Sequence, residues 1–471
     1  LTVSSRELFD AMPSARVIEL EKLYGNADLI RAVEILGFAG PYTIASPWEL
    51  DDPEGVRRIA AGGYAALPFG EGYRPLLDFV TAFLQLNRSA FLPQQAASEW
   101  RAALAANLVA LLAHFAPSHR DSQVFFTNSG TEAIETALKF ARAARSKAKA
   151  FINFTRGYHG KTYGSLSLTP NEEYQAPYRP LMPDVHTVPY GDLGAFENTL
   201  KKLGVDTVCA VVLEPIQGEA GVIVPPEGFL QGVGELCRRH GVTLIADEIQ
   251  TGLGRSGYYF ASVEWGGMEP DIVTLAKPLG GGLMPVSATI ARREIYRKML
   301  GGLKCKSHST TMGGNALGMA VALKSLELIV EEKLVERARH LGQKGLVRLR
   351  RIQESHPHFL EEVRGFGMLF ALQFHPVLAP QVLPGQKELI GELSGFLGLR
   401  ALHDAGVMAN ASFNAMRTVR LTPALTIPEA LFDEMFDRIE RAADQTPKAW
   451  QLLPKTPLST LMRLGKLALG G

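Results

Sequence analysis

Apolar positions along this chain follow two rhythms. Between about residues 120 and 325, short β-branched and aliphatic runs alternate with stretches whose apolar residues recur at helical spacing. Val124–Phe126, Phe151–Phe154, Val208–Leu213, Thr243–Ala246, Ile272–Leu275 and Val286–Ile290 read as strands, and Glu132–Arg145 and Leu230–His240 as helices among them. Near-continuous apolar strands separated by helices predict a parallel or mixed sheet covered on both faces, an α/β fold. Upstream, helical patterns are broken at Gly40-Pro41 and Gly62-Gly63, and Trp100–Phe115 predicts an amphipathic helix. Downstream, a long charged helix (Glu331–Gln353), strand-like Gly367–Phe374 and Thr418–Leu421, and a helix over Pro428–Asp444 predict a smaller α+β domain. The expected division is an N-terminal segment (1–110), a large domain (111–330), a small domain (331–450) and a Pro-, Leu- and Lys-rich tail (451–471).

Composition narrows the function classes. With 471 residues, 46% apolar and 21% charged, the chain has a globular balance and room for more than one core. A formal net charge of +1 favours neither nucleic acid nor an anionic membrane as partner. No apolar run is long enough to span a bilayer. Cys209, Cys237 and Cys305 are few, odd in number and in no metal-like spacing, which points to a reducing, cytoplasmic compartment. The opening Leu-Thr-Val-Ser-Ser has no initiator Met and no signal-peptide pattern, as expected of a processed chain or a domain of something larger.

The candidate chemistry falls where strands end. The run Thr243–Ala246 leads into Asp247, and Ile272–Ala276 leads into Lys277, with Gly280, Gly281 and Gly282 close behind. Alone, the acid reads as a strand terminus and the lysine as a solvated loop residue. Together they are the two charges that pyridoxal 5'-phosphate (PLP) chemistry requires: an amine to condense with the aldehyde and a carboxylate to keep the pyridine nitrogen protonated. Ser129-Gly130-Thr131 lies between a strand and a helix, where backbone N–H groups favour a phosphate, although an ordinary N-cap with Glu132 in the first turn fits equally. Tyr158-His159-Gly160 follows another strand; the tyrosine there is a ring-stacking or a packing residue, and the histidine a ligand-side or a structural one.

Five ordered motifs carry a resemblance. Asp247-Glu-Ile-Gln-Thr-Gly, Glu214-Pro-Ile-Gln-Gly-Glu219, Leu275-Ala-Lys277-Pro-Leu-Gly-Gly-Gly, His308-Ser-Thr-Thr311-Met-Gly-Gly-Asn315 and Arg420-Leu-Thr-Pro look like class III aminotransferases of PLP fold type I, the group of ornithine, acetylornithine, 4-aminobutyrate and putrescine transaminases. That resemblance implies a large domain with a mostly parallel, seven-stranded-type sheet covered by helices, and a small domain to which the N-terminal segment contributes along with dimer contacts. It implies ping-pong transfer of an amino group from an amino acid, ω-amine or diamine to an oxo-acid or aldehyde, through an aldimine on Lys277 and pyridoxamine phosphate. Lys277 would also carry the proton between substrate and cofactor. Asp247 would pair with the pyridine nitrogen, Gln250 with the ring hydroxyl, and Tyr158 with the ring face, while Glu214 and His159 support the ring side. Ser129, Gly130 and Thr131 would hold the phosphate, joined by Thr311 across a homodimer interface. Glu219 and Arg420 would form a gate, closed for substrates without an α-carboxylate and open when Arg420 clamps one.

Some features depart from this pattern. The N-terminal third matches poorly, leaving Trp48, Phe69 and Tyr73 as candidate substrate-side aromatics, and Pro278 stands where alanine is common, which implies a stiffer loop. Gly252-Leu-Gly254-Arg-Ser-Gly257 satisfies the dinucleotide fingerprint on paper, but its glycines come five residues after Asp247 and no clear helix follows. Other PLP reactions on the same fold (aminomutase, racemase, decarboxylase) share these motifs. A non-enzymatic module that kept the fold would have lost the lysine, the acid or the phosphate residues. The missing initiator Met also fits a transaminase domain of a larger biosynthetic enzyme, such as the prodigiosin-pathway type that joins thioester reduction to transamination.

Overall fold

The computed structural model describes residues 3–9, 12–35, 37–86, 88–89, 96–377, 387–412, 414–415 and 417–446; the tail expected over 451–471 lies outside the described residues. Its centre is a seven-stranded sheet ordered Gln123–Thr127, Ser287–Ala291, Ile272–Leu275, Thr243–Asp247, Val208–Leu213, Ala150–Phe154, Val185–Val188. Ser287–Ala291 pairs antiparallel with both neighbours, and the other pairings are parallel. The inner strands are buried along their whole length, which explains their unbroken apolar sequences. The edge strand Val185–Val188 escaped the sequence reading because it is short, half-buried and carries His186 and Thr187.

Helix Gly130–Ala144 packs Ile134, Ala137, Leu138 and Ala141 against one face of the sheet, and helix Phe229–His240 packs Phe229, Val233 and Cys237 against the other. Helix Glu99–Phe115 starts at Ser98, whose hydroxyl accepts the Arg101 N–H. Its Leu104, Leu108 and Leu112 are fully buried, at the spacing expected of a core-facing stripe.

The long charged helix begins later than expected, at Leu334 rather than Glu331. A separate helix, Ala316–Glu331, precedes it, and Lys333 turns the chain between them with φ +52°. That first helix is buried on most sides by Ala, Gly and Leu residues, so it offers no amphipathic period to read. Leu360–Phe366 and Leu369–Phe374 form a hairpin that continues through Thr418–Leu421 to Asn410–Ala411. The strand expected from Gly367 starts at Leu369, because Gly367 (φ +56°) makes the turn. Thr43–Ser46, Glu49–Asp51 and Arg57–Ala60 form another sheet, whose last strand pairs in parallel with Val407–Met408 near the other end of the chain. No helix among the described residues is long and apolar enough to cross a membrane.

Candidate active site

In an open parallel sheet the carboxyl ends of the strands leave a crevice for ligands. Here a cavity of about 700 Å³ opens there, lined by Asp247, Lys277, Tyr158, Gln250, Gly130 and Thr131 among others. Asp247 is the last residue of its strand and pairs with Thr274 on the next, three residues before Lys277. Lys277 opens a single 3₁₀ turn; Pro278 follows it at a first-turn position that needs no N–H, and its carbonyl accepts the Ser325 hydroxyl at 3.1 Å.

The charges around Lys277 are arranged rather than scattered. Burial lowers the pKa of its amine, with Arg420 acting in the same direction and Glu219, Glu214 and Asp247 opposing. Asp247, 3% exposed, accepts from His159 Nδ1 at 2.7 Å and from the Ile249 N–H at 3.1 Å. Burial works against a charged His159, but the hydrogen bond and charge of Asp247 outweigh it, and its pKa rises. The carboxylate that faces the cavity thus favours the protonated imidazole. Glu214 accepts the Tyr158 N–H at 2.8 Å and the Gly218 N–H at 3.3 Å; burial raises its pKa to about 7, moderated by His159.

At the other end of the cavity the chain offers an anion cradle. Ser129 caps helix Gly130–Ala144 through a reciprocal box with Glu132, whose carboxylate accepts the Asn128 and Ser129 N–H groups. The ordinary-cap reading of Ser129 is thus realised. The N–H groups of Gly130 and Thr131 lie in the first turn, where a helix has no acceptor of its own. A Cβ at Gly130 would come within 2.9 Å of the Ile249 side chain, so the approach of these segments needs glycine. The Thr131 hydroxyl bonds Ser165 (2.6 Å) and Thr162 (2.9 Å), tying the cradle to the turn after His159.

Gln250 supplies the test of fit for PLP. Its side chain is buried with neither Oε1 nor Nε2 partnered, and Gly218 leaves room for it, since a Cβ there would lie 1.7 Å from Oε1. A buried, unbonded amide on a cavity wall calls for a polar ligand. With a lowered-pKa lysine, an ion-paired aspartate and a helix N-terminus around one cavity, the residues match the aldehyde, ring nitrogen, hydroxyl and phosphate of that cofactor.

Arg420 and Glu219 stand beside the cavity rather than on its walls. Their ion pair is buried: Nη2 to Oε2 is 2.7 Å, with side-chain exposures of 1% and 12%. Nε and Nη1 of Arg420 have no partner among the described residues. The Tyr64 ring centroid lies 5.9 Å from its guanidinium carbon.

Thr311 is exposed and away from the cavity in the single chain; its neighbour Thr310 accepts from Asn128, a cavity residue, at 3.0 Å. Trp48, Phe69 and Tyr73 are not on the cavity. Phe69 is fully buried and stacked on Tyr73, and Trp48 donates to Thr426. Tyr64 escaped the sequence reading; the only signal was the Gly62-Gly63 pair before it, and it and Ala65 hold φ of +49° and +65°, backbone strain of the kind kept near functional sites. Lys161, on the cavity wall with its Nζ 3.7 Å from the Tyr174 ring centroid, was also missed. The paper fingerprint Gly252–Gly257 is a run of turns that opens no helix.

Comparison with known proteins agrees with the geometry. The family model for class-III aminotransferases matches residues 45–443. The curated aminotransferase PigE of a Serratia species is 38% identical over 334 residues, 71% of this chain; the match spans only 38% of PigE's own length. Among solved structures, ornithine aminotransferase of Toxoplasma gondii superposes with a TM-score of 0.78 at 26% identity, covering 93% of this chain and 97% of that one. An amine transaminase of an uncultivated Pseudomonas species, in PLP-bound form, superposes with a TM-score of 0.74 at 27% identity, covering 86% and 94%.

Proposed function

This chain belongs to the class-III aminotransferases, which carry out PLP-dependent amino transfer, and we propose that it alternates between a carboxylate-bearing partner and an amine or aldehyde partner lacking an α-carboxylate, with Glu219 and Arg420 as the switch. PLP, when bound, supplies an aldehyde that captures amines and a ring that accepts the electrons left by a departing proton. Lys277 is the residue for that aldehyde and the proton carrier at the substrate carbon; its lowered pKa favours the neutral amine both tasks need. Asp247, steadied by His159, holds the ring-nitrogen proton. Gln250 meets the ring hydroxyl, Tyr158 covers the ring face, and Glu214 braces the Tyr158 and Gly218 backbone. Ser129, Gly130 and Thr131 form the phosphate cradle. Thr311 of a second copy completes that cradle in a homodimer, which its exposed position supports. A cytoplasmic setting, and a place as the transaminase unit of a larger biosynthetic enzyme, are part of the same proposal; the partial span of PigE supports the latter.

One observation carries the switch. The guanidinium of Arg420 is buried, held by Glu219 on one nitrogen only, with two nitrogens unpartnered. A substrate carboxylate would take a bidentate edge there, and without one the pair closes on itself. The test is the visible spectrum of the PLP-loaded enzyme with glutamate and with putrescine. Both are expected to bleach the wild type, and Arg420→Met to lose the glutamate response while keeping that to putrescine. Equal loss of both, or of neither, would remove the switch.

A further inference from the structure

No residue of the segment Gly252–Gly257 lines the cavity, yet at its centre Arg255 is one of the largest fully buried side chains of the molecule. It has no carboxylate partner among the described residues, and burial lowers its pKa to about 9, still cationic at neutral pH. Its two terminal nitrogens donate to main-chain carbonyls on three separate segments, while Nε has no partner among the described residues. Nη1 serves Pro423 and, at 3.3 Å, Met368; Nη2 serves Leu67 at 3.4 Å. The Arg255 carbonyl in turn accepts the Met368 N–H at 2.9 Å. Gly254 and Gly257, at φ +99° and +84°, shape the loop. A Cβ on Gly367 would lie 2.3 Å from the Ser256 carbonyl carbon, so the neighbouring hairpin turn is fitted against it.

Two of the three clamped segments flank the Arg420 guanidinium. Leu67 lies three residues after Tyr64 and next to Ala66 on the cavity wall; Pro423 lies three residues after Arg420. The two strips are bonded to each other: Thr422 N–H to the Ala61 carbonyl (2.8 Å), Ala65 N–H to the Thr422 hydroxyl (3.2 Å), and Leu425 N–H to the Pro68 carbonyl (2.8 Å). Joined strips could still slide together over the large sheet. Arg255, on the loop that follows Asp247 and Gln250, is the side chain that fastens both to the cofactor side of the site.

We propose that Arg255 is a positioning residue for carboxylate recognition, fixing the strip of Tyr64–Ala66 and the strip of Arg420 in register over Lys277. The inference rests on the reading of Arg420 as the carboxylate clamp. Arginine suits the task because its planar fork reaches carbonyls pointing from different directions, whereas a lysine ammonium serves one centre.

The experiment compares Arg255→Lys, Arg255→Met and Arg420→Met with wild type, all PLP-loaded. Two readouts are taken: amide hydrogen exchange, and KM and kcat for glutamate and for putrescine. In the Arg255 variants, exchange over 61–69 and 420–426 is expected to quicken together by tenfold or more, with 243–250 unchanged. KM for glutamate is expected to rise about tenfold, with its kcat and the putrescine KM within about threefold of wild type. If Arg420→Met leaves glutamate kinetics unaltered, the clamp reading fails, and exchange alone then decides whether Arg255 fastens the strips. Unchanged exchange in both strips, or parallel loss of both substrates from Arg255→Lys, would overturn the proposal. Should Arg255→Met not fold, Arg255→Lys carries the test, since it keeps the charge and removes the fork.

Discussion

Glu219→Gln isolates the switch. In the wild type a carboxylate ligand must displace Glu219 from a guanidinium only 1% exposed. The substitution keeps an acceptor beside Arg420 Nη2 and removes the charge. Breaking a buried ion pair costs about 3–5 kcal/mol, and the hydrogen bond that the amide oxygen keeps to the charged guanidinium recovers about 1.5–3 kcal/mol. With Arg420 Nε and Nη1 already unpartnered, little else offsets the loss, and about 2 kcal/mol of stability should go. Unfolding entropy of about 2.1 cal/mol/K per residue gives roughly 1 kcal/mol/K for a chain this size, so Tm should fall by about 2 °C. The same 2 kcal/mol should reappear as affinity, because a carboxylate no longer competes with Glu219: about 30-fold tighter binding, at 1.4 kcal/mol per decade. Glutarate is the probe, since it offers carboxylates and no amine to react. Calorimetric titration of the PLP-loaded enzyme should show the gain in affinity, and saturating glutarate should restore the lost Tm and exceed it. Glutarate binding the two proteins equally, or the wild type more tightly, would refute the idea that Glu219 and a substrate carboxylate compete for one guanidinium.

Lys277→Ala should abolish turnover while PLP still binds non-covalently, seen as cofactor retained on gel filtration and released by denaturation even after borohydride treatment, which would fix a lysine aldimine; near-normal turnover would sink the assignment. Asp247→Ala should lower kcat by about 10²-fold or more, measured in single turnover, because the ring-nitrogen proton loses its partner. Gln250→Leu should weaken PLP binding without lowering the Tm of the apoprotein, since it removes a buried amide that has no partner there; a large fall in apoprotein Tm would show that the amide is structural. Glu248 is fully buried and burial raises its pKa to about 7. Its folded form therefore holds a proton that the unfolded chain releases near 4.5, and stability falls as pH rises from about 4.5 through 7. Glu248→Gln should remove about 3 kcal/mol of that fall, read as a flatter Tm between pH 5 and 8; parallel Tm curves would refute it.

The inner sheet and the strand ends that carry Asp247 and Lys277 were legible in the sequence because both obey local rules. A strand buried on both faces is apolar along its interior, as Val208–Leu213 and Leu244–Ala246 are, and a charge at its end, such as Asp247, stands out. The resemblance of five motifs then supplied roles that spacing could not. What escaped was set by tertiary context. Helix Ala316–Glu331 has only a short polar stripe, Lys324, Glu327 and Glu331, in its second half, and Val185–Val188 is a half-polar edge strand. Tyr64 reaches Arg420 only because two segments more than 350 residues apart are bonded together, which no local pattern encodes. The aromatics singled out instead, Trp48, Phe69 and Tyr73, sit in the same region of sequence but turn toward the core and its bonds. Gly252–Gly257 matched a ligand fingerprint because turns of any purpose need glycines at positive φ.

The unsatisfied polar groups of this protein divide by purpose. Arg255 and Glu248 are buried ionisable side chains whose hydrogen bonds go to backbone or hydroxyl groups, with only Arg255 Nε unpartnered among the described residues. Gln250 and Arg420 are also buried, yet each leaves at least two polar atoms without a partner, and each lies on or beside the one cavity that also holds Lys277 and Asp247. A fold under selection for stability alone would replace such groups with apolar ones of similar shape, because an unpaired buried donor costs about 1–3 kcal/mol. Their presence on and beside the cavity that holds Lys277 fits the proposed reading of two ligands bound in turn. In the proposed function the amide of Gln250 serves a cofactor that stays, and the guanidinium of Arg420 a carboxylate that arrives and leaves. In that reading Glu219 holds Arg420 through Nη2 until a carboxylate displaces it, so the carboxylate-free half of a transfer cycle proceeds without an orphaned charge. A pocket serving one substrate would gain nothing from that half-satisfied pair, and this is the physical reason to read the site as built for two.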